Sequence, residues 1–179
     1  MNGPVVLVDV IRAFTTAAYA FGGGAAEIYL VADVEEALSF KAAHPGTIAL
    51  GENRGLRPVG FDYPNSPAMV SRADLTGRTL VQRTSAGTRG VVAATAADRL
   101  WAASLSCASA TARAVNAAGM GEPTYVITGR FEDAPQTTGD DDVMTADLIE
   151  RARLGRPLDA VGTSAALLAT NEAANTLAR

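Results

Sequence analysis

Cysteine and histidine are almost missing from this chain: 179 residues hold one of each, Cys107 and His44. A lone cysteine excludes an intrachain disulfide and a cysteine-based zinc centre, and it fits a reducing compartment. His44 precedes Pro45–Gly46 at the predicted end of a helix. It reads as an exposed C-terminal residue, which argues against a Ser-His-Asp triad. No apolar run reaches the roughly 18 residues of a membrane span, and the N-terminus lacks the basic leader of a signal peptide. Nor is there a run of Lys and Arg. The 15 basic residues face 19 acidic ones, for a formal net charge of −4, which argues against a nucleic-acid partner. The expectation is a cytoplasmic globular protein with no membrane and no nucleic-acid partner.

What is there suits one core. With 48% hydrophobic and 19% charged residues, the chain is expected to form a single domain over 1–179. Apolar runs rich in β-branched residues predict strands at 4–9, 27–31, 47–50, 79–82, 99–103 and 124–128. None alternates cleanly, so burial on both faces is expected. Helical stretches are predicted between them, at 13–22, 34–43, 87–96, 108–118 and 143–153. Asp33 is a candidate N-cap for the second, with Glu35 and Glu36 in its first turn. The alternation points to an α/β fold with a largely parallel sheet. Two stretches fall outside it. Residues 51–77 form a long Gly- and Pro-containing segment, a length usual for a functional loop. The tail 155–179 is expected to carry a helix after Pro157.

Ligands of parallel sheets bind beyond the carboxyl ends of the strands, and charged residues recur at those ends. Asp9 ends the first strand, with Arg12 three residues on. It can ligate Mg²⁺, or cap the next helix, or pair with Arg12. Glu52 follows the strand at 47–50, and Asp62 lies in the turn-rich GFDYPNSP. Asp140, Asp141 and Asp142 precede a helix, as ligands or as a solvated cap. The loop RTSAGTRG at 83–90 opens another helix. Thr84, Ser85 and Thr88 offer hydroxyls there, Gly87 permits close approach, and Arg83 and Arg89 add charge suited to an oxyanion. An ordinary hydroxyl cap is the alternative. Arg130 is either one more cation at a strand end or a surface arginine. Cys107 reads as a small buried residue rather than an activated thiol. Carboxylates for a metal and cations for an anion together suit phosphoryl chemistry. GGGA at 22–25 follows a helix rather than a strand, so it reads as a helix stop and not a dinucleotide fingerprint.

These motifs, in this order, resemble the 2-phosphosulfolactate phosphatase (ComB) family. DVIRAFTT at 9–16 looks like the family's DVLRATTT. Gly51–Glu52 followed by GFDYPNSP at 60–67 looks like its GE and GFDxGNSP. TSAGT at 84–88 is similar to TTNGT, and CASA at 107–110 to NASA. Gly129–Arg130 and GDDD at 139–142 resemble its Gly-Arg strand end and acidic run. The match runs over roughly residues 4–154. The resemblance implies a three-layer α/β/α sandwich with a largely parallel or mixed central sheet. It also implies a Mg²⁺-dependent hydrolysis of (R)-2-phospho-3-sulfolactate to 3-sulfolactate and phosphate, a step toward coenzyme M. By position it implies Asp9, Glu52, Asp62, Asp140 and Asp142 as metal residues, and Asp9, Arg12 and Arg130 as catalytic ones. Asn65, Ser66, Thr84, Ser85, Gly87 and Thr88 would bind the small anionic phosphorylated substrate. A homodimer is expected on base rates. The chain departs from the family at Ala86 and Cys107, where asparagines stand. Those two changes favour the alternative of a non-catalytic anion-binding relative.

Overall fold

The computed structural model describes residues 3–129 and 137–177. The chain forms two compact units, one of Met1–Ile11 with Ala96–Arg179 and one of Arg12–Thr95.

The first unit is built on a three-stranded parallel sheet of order β6-β1-β7, from β1 (Pro4–Val8), β6 (Arg99–Ala103) and β7 (Thr124–Ile127). Val8 pairs with both Ala103 and Ile127. The residues that follow, Asp9, Ser104 and Thr128, therefore leave the sheet in one row at its carboxyl edge. The central strand is the most apolar: Val5, Val6, Leu7 and Val8 are fully buried. Val6, Val8 and Val10 pack with residues of α5 (Ala108–Ala118) and α6 (Asp140–Arg153), including Ala112, Val115 and Ile149. After Pro157 come two helices rather than the one expected, α7 (Ala160–Leu168) and α8 (Asn171–Leu177). Each has its own cap. Asp159 accepts from the Gly162 amide at 2.8 Å, and Thr170 Oγ1 from the Ala173 amide at 3.2 Å.

The second unit has a four-stranded parallel sheet of order β2-β5-β3-β4, from β2 (Glu27–Val31), β3 (Ile48–Gly51), β4 (Tyr63–Pro64) and β5 (Thr79–Arg83). One face, with Leu50 and Leu80, packs on Ala20 of α1 (Ala13–Gly22) and Val70 of α3 (Pro67–Val70). The other, with Ala49 and Val81, packs on Ala37 of α2 (Val34–Ala43). Helices thus cover both faces, the α/β/α layering expected of a parallel sheet. Asp33 stands at the N-cap of α2 without a side-chain capping bond. The segment 51–77 holds β4 and α3, both too short to read from periodicity. A further short helix, α4 (Gly87–Ala93), follows β5.

Gly51 shows why a residue without a side chain ends β3. Its φ is 139°, and an added Cβ would overlap the Arg83 carbonyl of the adjacent strand. Only glycine accepts both constraints. Among the described residues no helix is long and apolar enough to cross a membrane.

Candidate active site

In the first unit the residues at the carboxyl edge converge on α6. Its first turn is Asp140, Asp141 and Asp142, three residues earlier than the predicted start, because carboxylates are favoured beside helix N-terminal amides. The three differ in burial. Asp140 is exposed, whereas Asp141 and Asp142 are each only 2% exposed, so those two are not the solvated cap considered above. Asp142 ties two strand ends together: Oδ1 accepts from the Val10 amide at 2.7 Å, beyond β1, and Oδ2 from the Gly129 amide at 3.0 Å, beyond β7. A Cβ on Gly129 would stand 3.1 Å from Asp142 Oδ2, tight enough to push that carboxylate away. Asp9, also buried, lies beside Thr128. The Thr128 hydroxyl is 3.0 Å from the Val8 carbonyl and 3.3 Å from Asp9 Oδ2, and it donates its one proton to either.

Three carboxylates in so little water repel one another. Burial, then the charges of Asp9 and Asp141, push the Asp142 pKa from 3.8 up to about 8, against the pull of the Val10 and Gly129 amides. Burial and the neighbouring Glu172 push Asp141 up to about 6. Asp141 Oδ1 is buried with no hydrogen-bond partner. Such an orphaned oxygen is costly unless a proton or a cation answers it. A hard cation with oxygen ligands fits this donor set. Among the described residues no group of three or more His, Cys, Asp or Glu is arranged to hold a metal ion. Mg²⁺ characteristically binds through one or two carboxylates and keeps its waters, so an open set is compatible with it.

Glu172, from α8, completes this region. Burial pulls its pKa up, but the amides of Thr138 and Gly139 outweigh that and hold it below its usual value. At the end of β6, Ser104 is fully buried, and its amide donates to Cys107 Sγ at 3.3 Å. Cys107 is half-buried rather than buried, because the turn at Leu105–Cys107 lies at the sheet edge and not beneath it.

In the second unit, β5 lies between β2 and β3, and Arg83 at its end grips both neighbours. Its Nε donates to the Ala32 carbonyl at 3.0 Å and an Nη to the Glu52 carbonyl at 2.7 Å. Glu52 is buried, with both oxygens taken. Oε1 accepts from the Ser85 amide at 2.5 Å, and Oε2 from the Gly55 amide at 2.6 Å and the Ser85 hydroxyl at 2.9 Å. Thr84 and Thr88 close the loop on itself: Thr88 Oγ1 accepts from the Thr84 amide at 2.7 Å, and Thr84 Oγ1 from the Thr88 amide at 3.1 Å. Both are buried, so they set the loop's shape. The amides of Ala86 and Gly87, which open α4, have no intrahelical partner.

Asp62 is engaged elsewhere in this unit. It forms an ion pair with Lys41 at 2.7 Å and accepts from the Ala49 amide at 2.7 Å. Ser66 caps α3 through the Met69 amide, and the buried Asn65 Oδ1 has no partner. Arg12 precedes α1, where its carbonyl accepts from the Thr16 amide and hydroxyl, each at 2.9 Å. Arg130 lies outside the described residues.

Sequence reasoning passed over Thr128 and Glu172, and of the acidic triplet it named Asp140 and Asp142, but not the buried Asp141, among the metal candidates. It also missed Arg54, a non-glycine residue at φ 52° whose amide donates to Ser85 Oγ at 2.9 Å.

Comparison with known proteins supplies the remaining finding. The family model for 2-phosphosulpholactate phosphatase matches residues 1–177. A probable 2-phosphosulfolactate phosphatase of Bacillus subtilis is 36% identical over 145 residues, covering 81% of this chain and 61% of that protein. Its counterpart in Thermus thermophilus is 37% identical over 146 residues, covering 81% and 59%. That in Deinococcus radiodurans is 37% identical over 145 residues, covering 80% and 59%. The chain thus spans about three fifths of the length of these relatives.

Proposed function

This chain belongs to the 2-phosphosulfolactate phosphatase family, and from that premise we propose that it is a Mg²⁺-dependent phosphatase of a small anionic phosphoester. Its relatives' name points to 2-phosphosulfolactate, whose hydrolysis would yield 3-sulfolactate and phosphate on the way to coenzyme M. The observation that carries the reading is the buried group of Asp9, Asp141 and Asp142, with one oxygen of Asp141 left without a partner. Buried, mutually repelling acids are costly to a structural core, whereas a bound cation would offset their charge.

Asp9 and Asp141 would hold Mg²⁺, directly or through water, whereas both oxygens of Asp142 are already bonded. Bound there, the ion would neutralise charge on the phosphoryl oxygens and make water a better nucleophile. The chain's own groups do the rest. Asp142 keeps the β1 and β7 ends in register, and Thr128 orients Asp9. A carboxylate of this group would act as the base that takes a proton from the attacking water. The protonated base would then pass that proton to the leaving ester oxygen, as the ester P–O bond breaks and the P–O bond from water forms. By family position, Arg12, Arg130 and the 84–88 loop are the candidates for anion binding. Ser85 and Thr88 serve that loop by shaping it. In this reading Glu52 is a loop clamp and not a metal ligand, since both its oxygens are already bonded.

The test is phosphate release from a panel of small phosphorylated acids, 2-phosphosulfolactate included, with Mg²⁺ and with EDTA, beside Asp9→Asn. Release that requires both the metal and Asp9 is expected. A folded protein that binds these acids and releases nothing from any of them would be a binding relative instead.

A further inference from the structure

The acid-bearing turn of α6 is held from a distant part of the chain. Gly139, the residue before α6, has φ 68° and no side chain with which to cap the helix. Glu172 of α8 instead grips the turn that leads into the helix. Its Oε1 accepts from the Thr138 amide at 2.7 Å, the Gly139 amide at 3.0 Å and the Thr138 hydroxyl at 3.1 Å. Glu172 is only 9% exposed, and Thr170, which caps α8 just before it, fixes the turn from which it projects. Asp140, Asp141 and Asp142 follow Gly139 directly. A carboxylate of the tail thus grips the two residues that lead into the buried acids.

We propose that Glu172 is a positioning residue for the metal-binding carboxylates: by holding the Thr138–Gly139 turn from α8 it sets the phase of the first turn of α6, so that Asp141 and Asp142 face inward and Asp140 faces solvent. This rests on the reading of Asp9 and Asp141 as the Mg²⁺ carboxylates, with Asp142 beside them. Without the grip, the turn at 137–139 can rotate, and Asp141, which has no hydrogen bond at Oδ1 to retain it, relaxes outward. All three donors converge on one oxygen of Glu172. A glutamine can supply that oxygen, so the charge itself is dispensable.

The experiment compares the full chain with Glu172→Ala, Glu172→Asp and Glu172→Gln. Two readouts are taken. One is the Mg²⁺ concentration at half-maximal rise in melting temperature, with the metal alone. The other is the Mg²⁺ dependence of phosphate release from 2-phosphosulfolactate. Glu172→Ala is expected to raise the Mg²⁺ midpoint by about 10- to 100-fold, the range for a group that orients a metal ligand, with kcat at saturating Mg²⁺ changed less than about threefold. Glu172→Gln should stay within about threefold of the parent in both. Glu172→Asp, which withdraws the carboxylate by one methylene, should move the midpoint by at least about threefold, and it decides the matter if Glu172→Ala does not fold. The inference is overturned by an Ala or Asp variant with the parent midpoint, by a Gln variant as impaired as Ala, or by a parent whose melting ignores Mg²⁺. If the parent releases no phosphate but the midpoints move as stated, the positioning role stands and the phosphatase reading falls. Release with unmoved midpoints means the reverse.

Discussion

Asp142 makes a prediction about the protein without metal. Its carboxyl titrates at about 8 when folded, against an ordinary 3.8. Between those values the folded chain keeps a proton that the unfolded chain has already released. Stability therefore falls as pH rises from about 4 to about 8 and is level above that. Asp141, raised to about 6, adds a fall of the same sign that is complete sooner. Each pKa unit is worth about 1.4 kcal/mol, so the ceiling for Asp142 alone between pH 5 and pH 8 is about 4 kcal/mol. Because the acids titrate as one coupled group, about half of that is expected. A loss of about 2 kcal/mol corresponds to about 4–8 °C in melting temperature for a chain of this size. Asp74, Glu150 and Glu172 are held below their ordinary values, so the stability they add is in place once the unfolded acids are ionised, at about pH 5, and does not tilt the higher range. The assay is a set of thermal melts in EDTA from about pH 5 to about pH 9, repeated in excess Mg²⁺ and with Asp142→Asn. In EDTA the melting temperature should fall with pH, and Mg²⁺ should flatten the slope by stabilising the ionised acids. Asp142→Asn should flatten it too, but from a lower level. An amide has one acceptor for the two N–H groups of Val10 and Gly129, and the donor left over costs about 1–3 kcal/mol. A melting temperature that is constant or rises over this range in EDTA, or a slope above about pH 6 that survives Asp142→Asn, would refute the account.

Gly51→Ala should prevent stable folding or cost more than about 3 kcal/mol, since its Cβ overlaps the Arg83 backbone at a φ that suits glycine; a denaturant melt within about 1 kcal/mol of the parent would contradict this. Glu52→Ala leaves the Ser85 and Gly55 amides without their acceptor and should destabilise by about 2–4 kcal/mol. The Mg²⁺ midpoint should stay unchanged, and a shifted midpoint would restore Glu52 to the metal group. The Lys41–Asp62 pair is partly exposed, at 30% and 38% for the two side chains. Lys41→Ala should therefore cost about 0.5 kcal/mol, and Asp62→Ala about 1–2 kcal/mol because the Ala49 amide also loses its acceptor. A double-mutant cycle on the pair measures both, and a coupling above about 1 kcal/mol would show the pair to be more than a surface contact.

How much of this could be read from the chain depends on the range of the forces involved. Strands β2 and β6 were legible to the residue, as were helices α1, α2 and α5, because apolar runs and glycine stops act within ten residues. The strand β4, Tyr63–Pro64, was not legible: it consists of two residues whose pairing with Leu50 and Gly51 belongs to the sheet and not to its own sequence. Asp9 was legible as a strand-end carboxylate because a run of four valine and leucine residues leads into it.

The acidic triplet marks where local reading stops. A helix turns about 100° per residue, so three consecutive acids cannot share a face, and the sequence 140–142 does not say which of them faces inward. That choice is made by the Val10 amide, 132 residues away from Asp142, and by Glu172, 33 residues beyond Gly139. Neither partner carries a local motif. The same holds for Glu52, a strand-end acid like Asp9, whose bonds to Ser85 span 33 residues. A carboxylate already bonded at both oxygens shapes a loop; one with an orphaned oxygen is open to a cation or a proton. That difference between Glu52 and Asp141 is set by which backbone amides long-range packing brings to each, and residue type alone cannot express it.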